Sequence, residues 1–433
     1  MNLDATGQLM YRRAEELFPI NRSLSGPGVR QTLSYLKDII PELNIGSIAS
    51  GTQAFDWTVP KEWFIEDAYI ITPSGEKICH FEECNLHLMG YSTPQQKTLS
   101  LDELQEHLFS IPSMPDAIPY VTSYYKDNWG FCLAHNQRTK LQEGDYKVVI
   151  KSKLFDGELN YGEIVFPGKS SKEVLLSTYI CHPSMANNEL SGPVVTIALA
   201  EAIKKMKERE YTYRILFLPE TIGSIAYISK HLEHLKQNLN AGFIVTCVGD
   251  ERDYSYLNSR QENSLADKVA IHTLKHHTEK YTHYSFLERG SDERQFCSPG
   301  VDLPVCSIMR SKYGTFPEYH TSLDNLSLIS PNGLAGSYRA LLSAIEILEY
   351  NWVYKVTTQC EPQLGKRGLY PNTSDMQQDY SQVRKMTNLL AYADGTRDLI
   401  DLADKINESA LDLIPIINKL LQAKLIEKVN KVV

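Results

Sequence analysis

Two histidines and a glutamate follow runs of apolar residues that are typical of buried strands. His182 follows the run "VLLSTYIC", Glu220 follows "YRILFL", and His320 lies in the polar loop after "LPVCSIMR". The carboxyl ends of neighbouring parallel strands meet at one edge of an open α/β sheet, where ligands bind. The sequence therefore predicts that these three side chains lie close together.

Zinc prefers imidazole and carboxylate ligands, and a catalytic zinc site keeps one position open for water. His182 and His320 are the candidate ligands for such an ion. Glu220 is the candidate general base, which would take a proton from water as the water attacks a carbonyl group. Structural roles stay open as well, because His182 could bond to buried carbonyl groups and Glu220 could stabilise the first turn of a helix.

Further polar residues follow the ends of neighbouring apolar runs and are candidates for substrate contacts or for supporting the ligands. They are Asp250, Asp292, Glu293, Arg294, Tyr319 and Asp324. The stretches "SDERQF" and "HTSLDN", which contain four of them, could equally be solvated loops in which Asp and Ser side chains stabilise turns.

The composition is that of a globular chain with a sizeable core: 433 residues are 42% hydrophobic and carry a formal net charge of -9. Nucleic acids and anionic membranes bind basic surfaces, so this charge argues against either as the main partner. We expect a cytoplasmic location, because no apolar stretch is long enough to span a bilayer and the first residues do not resemble a secretory signal. The 8 cysteines form no CxxC pair, which favours a packing role for them.

The sequence pattern divides the chain into three parts. Apolar runs alternate with helical patterns over residues 1–52 and 136–355, which predicts an α/β domain with a mixed, largely parallel sheet and helices on both faces. Residues 53–135 are rich in aromatic residues and proline and alternate as strands do, which predicts an inserted β-rich module. Residues 365–433 contain three short helical patterns and a final strand, the order of a winged helix. The balanced charges of this tail argue against DNA binding.

The order of the motifs resembles that of zinc aminopeptidases of the M28 type. The motifs are "HP" with "NNELSG", then "LPETIGS", "GSDERQFCSPGVDLPVCSI" and "YHTSLDN". More closely, "NLHLMGYSTP", "IPYVTSYYKDNWGFCL" and "RSKYGTFPEYHTSLDNLS" resemble a domain-of-unknown-function family of bacterial proteins described as polysaccharide biosynthesis proteins with an aminopeptidase-like domain. This resemblance covers nearly all residues. It implies a zinc-aminopeptidase-like fold with an inserted β-rich module and a C-terminal winged helix.

Residue by residue, the resemblance also implies roles in a metal site. His182 matches the first metal ligand, Asn188 stands where the family has a bridging aspartate, Glu220 matches the catalytic base, and His320 matches the last ligand. The remaining polar candidates would contact substrate or support these side chains.

The chain departs from the M28 pattern at carboxylates that hold two metal ions. Thr221 takes the place of a metal-binding glutamate and Thr246 that of an aspartate, while Asn188 offers a neutral amide instead of the bridging carboxylate. Amide oxygens bind zinc more weakly than carboxylates do. We therefore expect one zinc ion at most, and not two.

Two functions are compatible with these features. The first is a mononuclear zinc hydrolase that cleaves an aminoacyl or N-acyl amide bond in a small or peptide-like substrate, in the context of surface polysaccharide synthesis. The second is an inactive peptidase-fold protein that uses its cleft and winged helix to bind a ligand or partner. A homo-oligomer, or a protein partner bound through the winged helix or the inserted module, is compatible with both.

Overall fold

A computed structural model of the chain describes residues 3–370 and 380–431. The helices in chain order are α1 (Leu3–Leu17), α2 (Pro27–Ile39), α3 (Leu101–Gln105), α4 (His135–Arg138), α5 (Ser191–Lys204), α6 (Ile222–Asn238), α7 (Leu265–His277), α8 (Glu293–Phe296), α9 (Pro331–Tyr350), α10 (Tyr380–Tyr392), α11 (Leu399–Ile406) and α12 (Ala410–Gln422). A π-helical turn, Ala186–Leu190, precedes α5.

The strands are, in chain order, β1 (Asn44–Ala49), β2 (Gln53–Ala54), β3 (Trp57–Thr58), β4 (Glu62–Ile71), β5 (Lys77–Ile78), β6 (Gln95–Ser100), β7 (Leu108–Phe109), β8 (Phe131–Cys132), β9 (Asp145–Phe155), β10 (Glu158–Phe166), β11 (Glu173–Tyr179), β12 (Thr212–Leu218), β13 (Leu239–Ile244), β14 (Ser255–Leu257), β15 (Thr282–Tyr284), β16 (Val305–Met309), β17 (Trp352–Val356) and β18 (Ile426–Lys431).

The main sheet has eight strands in the order β1-β10-β12-β11-β13-β16-β14-β15. Its centre is parallel, since β11 pairs in parallel with β12 and β13, and β13 with β16. Strands β1, β10 and β14 join by antiparallel pairing. All residues of β11 and β13 are buried, as expected for strands that are covered on both faces. The predicted mixed α/β fold is confirmed.

Helix α5 lies at the centre of the core because it is apolar on nearly all sides. Eleven of its residues are buried, and a helix with this pattern is stable only inside a protein. Its start packs very closely on the sheet, since a Cβ atom at Gly192 would lie 2.4 Å from the carbonyl oxygen of Val245. Only glycine fits there, so the helix start is held directly above the end of β13.

The β-rich module is built on a four-stranded sheet with the order β5-β4-β9-β6. Strand β9 pairs with both β4 and β6, although it lies beyond residue 135, where the sequence pattern predicts the module to end. The apolar run of β9 looks like the strands of the main sheet, and only its partners distinguish the two. The sheet of the module therefore extends to Phe155.

The C-terminal part contains α10, α11, α12 and β18, as the sequence pattern predicts. Strand β18 pairs with β17, which directly follows α9. The winged helix therefore uses a strand that precedes residue 365, its predicted start. Residues 371–379 and 432–433 of the predicted winged-helix range lie outside the described residues. Over the ranges that are described, no helix combines the length and the apolar character needed to cross a membrane.

Candidate active site

The candidate site lies at the carboxyl ends of β11, β12 and β13, where three residues have strained backbone conformations. Thr221 after β12 has φ 62°, Cys247 after β13 has φ 51°, and His320 has φ 56°. Positive φ is rare for residues other than glycine and is a true outlier for a β-branched residue such as Thr221. Strain of this kind persists only where the surrounding structure imposes it, and it is concentrated at functional sites.

Asp324 holds the π-helical turn that carries Asn188. Its carboxylate accepts hydrogen bonds from the backbone N–H groups of Ala186 (3.2 Å), Asn187 (2.6 Å) and Asn188 (2.9 Å). Burial raises the pKa of Asp324 to about 7, although the three N–H groups lower it. Asp324 therefore contacts the backbone of the site and positions the turn.

Asp250, another predicted site residue, is buried beneath the same turn. It accepts hydrogen bonds from the side chain of Asn187 (3.0 Å) and from the backbone N–H and hydroxyl of Ser311 (3.0 and 2.8 Å). Its carboxylate is 1% exposed. These contacts link two loops behind the site.

His182 is held by carboxylates on both sides of its ring. Its Nδ1 atom lies 2.8 Å from Oε2 of Glu189, and its Nε2 atom lies 3.6 Å from Oε2 of Glu220. Burial lowers the pKa of His182, but Cys181, Tyr120 and the hydrogen bond with Glu189 raise it more, so the net shift is upward. The sequence prediction that His182 and Glu220 lie together is matched by this geometry.

Glu220 is the most accessible acidic group of the site. Its side chain is 18% exposed, against 0% for that of Glu189. Burial raises the pKa of Glu220, and the positive charges of His182 and Arg294 oppose that shift. A carboxylate with a raised pKa beside a solvent opening is suited to accept and return a proton.

Asp292 and Glu293 lie behind Glu220 and each has one carboxylate oxygen without a partner. Oδ1 of Asp292 accepts hydrogen bonds from the backbone N–H of Thr221 and from the hydroxyl of Ser224, both at 2.8 Å. Oε1 of Glu293 accepts from the hydroxyl of Tyr313 and from two backbone N–H groups. The buried Oδ2 of Asp292 and Oε2 of Glu293 bond to nothing within the described residues.

Burial, followed by the charge of Glu220, raises the pKa of Asp292 to about 7. A carboxylate whose pKa is higher in the folded chain than in the unfolded chain stabilises the fold at low pH, and that contribution is lost as the pH rises through 7. In the wild type, ionisation of Asp292 should lower the free energy of unfolding by about 2 kcal/mol between pH 5 and pH 8. We expect Asp292→Asn, which cannot ionise, to lack this decrease. Urea unfolding at both pH values measures this, with Asp302→Asn as the control at an exposed carboxylate paired with Arg260. Equal pH dependence in wild type and Asp292→Asn would contradict the assignment.

Arg294 connects the acidic groups to the strained turn. Its Nη2 atom donates to the hydroxyl of Thr221 at 2.6 Å, and its buried Nε atom makes no hydrogen bond to any described residue. Its charge lowers the pKa of Glu220. Arg294 thus offsets part of the negative charge of this region.

His320 lies across the site from His182, with their ring centroids 5.5 Å apart. Tyr319 stacks on its ring at 3.9 Å. The Nε2 atom of His320 is buried and has no hydrogen-bond partner in the described chain. Burial, then the charge of His182, lowers the pKa of His320 to about 3, so the ring is neutral and Nε2 or Nδ1 has a free lone pair.

The inserted module contributes Tyr120 to the site. The ring of Tyr120 lies 5.2 Å from that of His182 and 5.1 Å from that of His320, measured between centroids. Its backbone N–H donates to the carbonyl of His320 at 2.8 Å, and the backbone N–H of Ser322 donates to the carbonyl of Ile118 at the same distance. These two bonds attach the module directly to the loop that carries His320.

Tyr179 joins Asn188 and Thr246, the two positions where the M28 pattern has further carboxylates. The hydroxyl of Tyr179 donates to Oδ1 of Asn188 at 2.9 Å and also bonds to the hydroxyl of Thr246. Three neutral, mutually bonded side chains cannot offset the charge of a second dication. The residues present therefore do not fit two ions.

One ion fits the site better. His320 has a buried nitrogen that bonds to no described residue, and His182 uses Nδ1 for Glu189, which leaves its Nε2 atom beside Glu220. Zinc binds imidazole in its neutral form, so His182 would release a proton from Nε2 when the ion binds. Two imidazoles with a nearby carboxylate are then a donor set that zinc accepts. Cys181 and Glu189 also lie within reach of His182, but that contact is on the Nδ1 side, where Glu189 is already bonded.

Three side chains of the site have no simple signal in the sequence. Tyr120 is separated from His182 by the rest of the inserted module, Tyr179 lies inside a strand, and Arg22 lies between α1 and α2. A buried arginine such as Arg22, with 1% of its surface exposed, looks in the sequence like any surface cation. Glu189 differs from these three, because the sequence already places an acid seven residues after His182 at the same strand-to-helix junction.

Comparison with known proteins agrees with this fold. Residues 11–351 match the family described as "Domain of unknown function (DUF4910)", and residues 352–428 match a winged helix-turn-helix family. A protein of Clostridium acetobutylicum is 47% identical over 405 residues, which cover 93% of this chain and 92% of that protein. It is named "Putative polysaccharide biosynthesis protein with aminopeptidase-like domain".

Solved structures extend the comparison to zinc enzymes. The crystal structure of a "putative peptidase" from Clostridium acetobutylicum has a TM-score of 0.93 at 44% identity and covers 99% of this chain and 98% of its own. A zinc aminopeptidase from Bacillus subtilis has a TM-score of 0.57 at 13% identity, with coverages of 78% and 94%. A peptidase M28 precursor from Shewanella amazonensis has a TM-score of 0.58 at 12% identity, with coverages of 86% and 98%. The last two share the fold with this chain.

Proposed function

The chain belongs to the DUF4910 family, and from that membership and the geometry of its site we propose that it is a hydrolase of the aminopeptidase fold, which binds one zinc ion and cleaves an amide bond. The bond would be an aminoacyl or N-acyl amide of a small substrate. The observation that carries the proposal is that Nε2 of His182 lies 3.6 Å from the partly exposed carboxylate of Glu220, while the ring of His320 lies 5.5 Å from that of His182 and has a buried nitrogen that bonds to no described residue.

His182 and His320 would hold the ion through ring nitrogens, and the amide oxygen of Asn188 would be the third protein ligand. Bound there, zinc supplies Lewis acidity, which polarises a carbonyl group and lowers the pKa of a water molecule. Asn188 would be a weak ligand, because Tyr179 already donates to its Oδ1 atom.

Glu220 would act as the general base through its carboxylate. It would take one proton from the attacking water and return that proton to the leaving amine, so that the carboxylate is regenerated. The raised pKa of Glu220 favours the first step, since a more basic carboxylate accepts a proton more readily. The amine nitrogen would then take this proton as the C–N bond breaks. Arg294 would limit the upward pKa shift of Glu220 through its positive charge.

Tyr120 would assist from the inserted module. It is half-buried, and its hydroxyl bonds to no side chain or backbone group within residues 3–370 and 380–431. A phenol O–H beside the two histidines could donate to the oxygen that becomes negatively charged during amide cleavage. Tyr319, stacked on the ring of His320, would fix the orientation of that ligand.

A role in surface polysaccharide synthesis is part of this proposal and is supported by the name of the Clostridium acetobutylicum relative. We further propose a cytoplasmic location, a small amide- or peptide-like substrate, and self-association or protein contacts through the winged helix or the inserted module. The net charge of -9 argues against nucleic acid as the substrate.

Removal of the metal tests the proposal. Protein dialysed against a chelator and then given zinc in measured amounts would be assayed on aminoacyl p-nitroanilides and N-acetylated amino sugars. We expect hydrolysis to disappear on dialysis and to return fully with one equivalent of zinc. Turnover that resists the chelator, or a chain that neither binds zinc nor hydrolyses any of these amides, would contradict the proposal.

The contact among Tyr179, Asn188 and Thr246 favours a second candidate, an inactive protein that binds a ligand in the cleft. In that case the site would recognise an amide without cleaving it. The two candidates differ in their response to Glu220→Gln: this change would leave ligand affinity unchanged in a binding protein and would abolish turnover in a hydrolase.

A further inference from the structure

We infer that Glu189, held in place by Arg22, is a positioning residue that fixes the ring of His182 so that its Nε2 atom points into the proposed zinc site. The inference rests on the proposed function. In this chain the carboxylate that supports His182 is Glu189, at a position where the M28 motif has no carboxylate.

The acidic charge of the junction lies one residue later than in the M28 motif. That motif has Asp followed by Asn, whereas this chain has Asn188 followed by Glu189. Asn188 faces Tyr179, while Glu189 reaches the Nδ1 atom of the histidine ring.

The contacts of Glu189 are made by both oxygens of its carboxylate. Oε2 lies 2.8 Å from Nδ1 of His182, and Oε1 accepts from Nε of Arg22 at 3.1 Å. Arg22 also donates to the carbonyl oxygen of His182 at 3.1 Å and to that of Leu17 at 2.8 Å. The side chains of Arg22 and Glu189 are both 0% exposed.

This arrangement determines which nitrogen of the His182 ring is available to bind a metal ion. A carboxylate at Nδ1 keeps the proton on that atom, so the lone pair of a neutral ring is on Nε2. It also increases the basicity of the ring as a metal ligand, as carboxylates bonded to metal-binding histidines do in general. Nε2 is the atom that lies 3.6 Å from Glu220, on a ring whose centroid is 5.5 Å from that of His320.

Arg22 is needed because a charged carboxylate at 0% exposure is costly to bury without a partner of opposite charge. Its guanidinium balances the charge of Glu189 and, through the carbonyl of His182, also fixes the backbone of the histidine. Arg22 lies just after α1, which packs against α5 and α9. The N-terminal helix is therefore connected to the metal site through two side chains.

Zinc affinity is the test, with three variants. Glu189→Gln keeps the shape of the side chain and removes its charge, and we expect the zinc dissociation constant to rise about 10- to 100-fold. Glu189→Asp keeps the charge but shortens the reach to Nδ1, and we expect a smaller rise. Glu201→Gln is the matched control, because Glu201 also pairs with an arginine, Arg13, but lies away from His182, and we expect no change.

The dissociation constants would be measured by competition with a chromophoric zinc chelator, on variants whose circular dichroism matches that of wild type. The proton on Nδ1 of His182 provides a second readout that needs no metal. In ¹⁵N-histidine NMR spectra of the metal-free chain, we expect a downfield proton on this nitrogen that moves upfield in Glu189→Gln. Glu189→Asp gives the same comparison if the Gln variant does not fold.

Unchanged zinc affinity and an unchanged Nδ1 proton in both Glu189 variants would overturn the inference while the proposed function stands. A wild-type chain that binds no zinc would overturn the proposed function and the inference together. A rise in the dissociation constant in Glu189→Gln, with none in Glu201→Gln, supports the inference.

Discussion

Glu220→Gln is expected to lower kcat for amide hydrolysis about 10³-fold while the chain keeps its fold and its metal. Glutamine has nearly the same shape as glutamate but cannot take a proton from water. The carboxylate of Glu220 lies 3.6 Å from Nε2 of His182 and is the most accessible acid of the site, so no neighbour is placed to replace it. Steady-state kinetics on a substrate of the wild type measure the effect.

The matched control for this change is Glu233→Gln. Glu233 lies on the exposed face of α6, the helix that begins two residues after Glu220. We expect this control to have the kcat of wild type. If Glu220→Gln retained more than about a tenth of the wild-type rate, Glu220 would not be the general base.

Arg22→Met is expected to lower the free energy of unfolding by about 3 to 5 kcal/mol. The change leaves the carboxylate of Glu189 buried beside His182 with no full counter-charge, and removal of one partner from a buried ion pair is among the costliest single substitutions. Urea unfolding at neutral pH measures the loss.

An exposed Arg–Glu pair supplies the control. Arg252 pairs with Glu318 at 2.8 Å, and the side chain of Arg252 is 48% exposed. Surface pairs of this kind contribute about 0 to 1 kcal/mol, so Arg252→Met should have little effect. The double variant Arg22→Met/Glu189→Gln should recover part of the stability lost in Arg22→Met, because it also removes the unpaired charge. A loss below about 1 kcal/mol in Arg22→Met would contradict the ion pair.

Much of the fold could be predicted because periodicity and chain order are local signals. The runs that precede His182 and Glu220 became β11 and β12, adjacent parallel strands of the main sheet. When neighbouring strands are parallel, the residues that follow them lie at the same edge of the sheet. The proximity of His182 and Glu220 follows from that rule. His320 lies on a long loop after β16, and the path of that loop does not follow from strand order.

The sequence could not reveal contacts that depend on a side chain from a distant segment. Strand β9 has the apolar pattern of the main sheet, yet it pairs with β4 and β6 of the inserted module. Arg22 and Tyr120 reach the site from segments that carry no motif of their own. Long-range pairing of this kind is set by tertiary packing, which local propensity does not encode.

The sequence predicts that Asn188 is the weakest of the proposed ligands, but it shows only part of the physical reason. Asn188 was expected to bind zinc poorly because an amide is neutral. The structure adds that Tyr179 donates to the same oxygen and bonds to Thr246. A tyrosine inside a strand gives no hint that its hydroxyl lies between two positions of a metal motif.

The most direct test of the account is the zinc content of the chain, purified without a histidine tag, together with anomalous diffraction that locates the ion. We expect one zinc per chain, with its anomalous peak between Nε2 of His182 and the ring of His320. Two ions, no ion, or an ion elsewhere, such as beside His272, His276 and Asp404, whose ligand atoms also lie within 4.8 Å of one another, would contradict it.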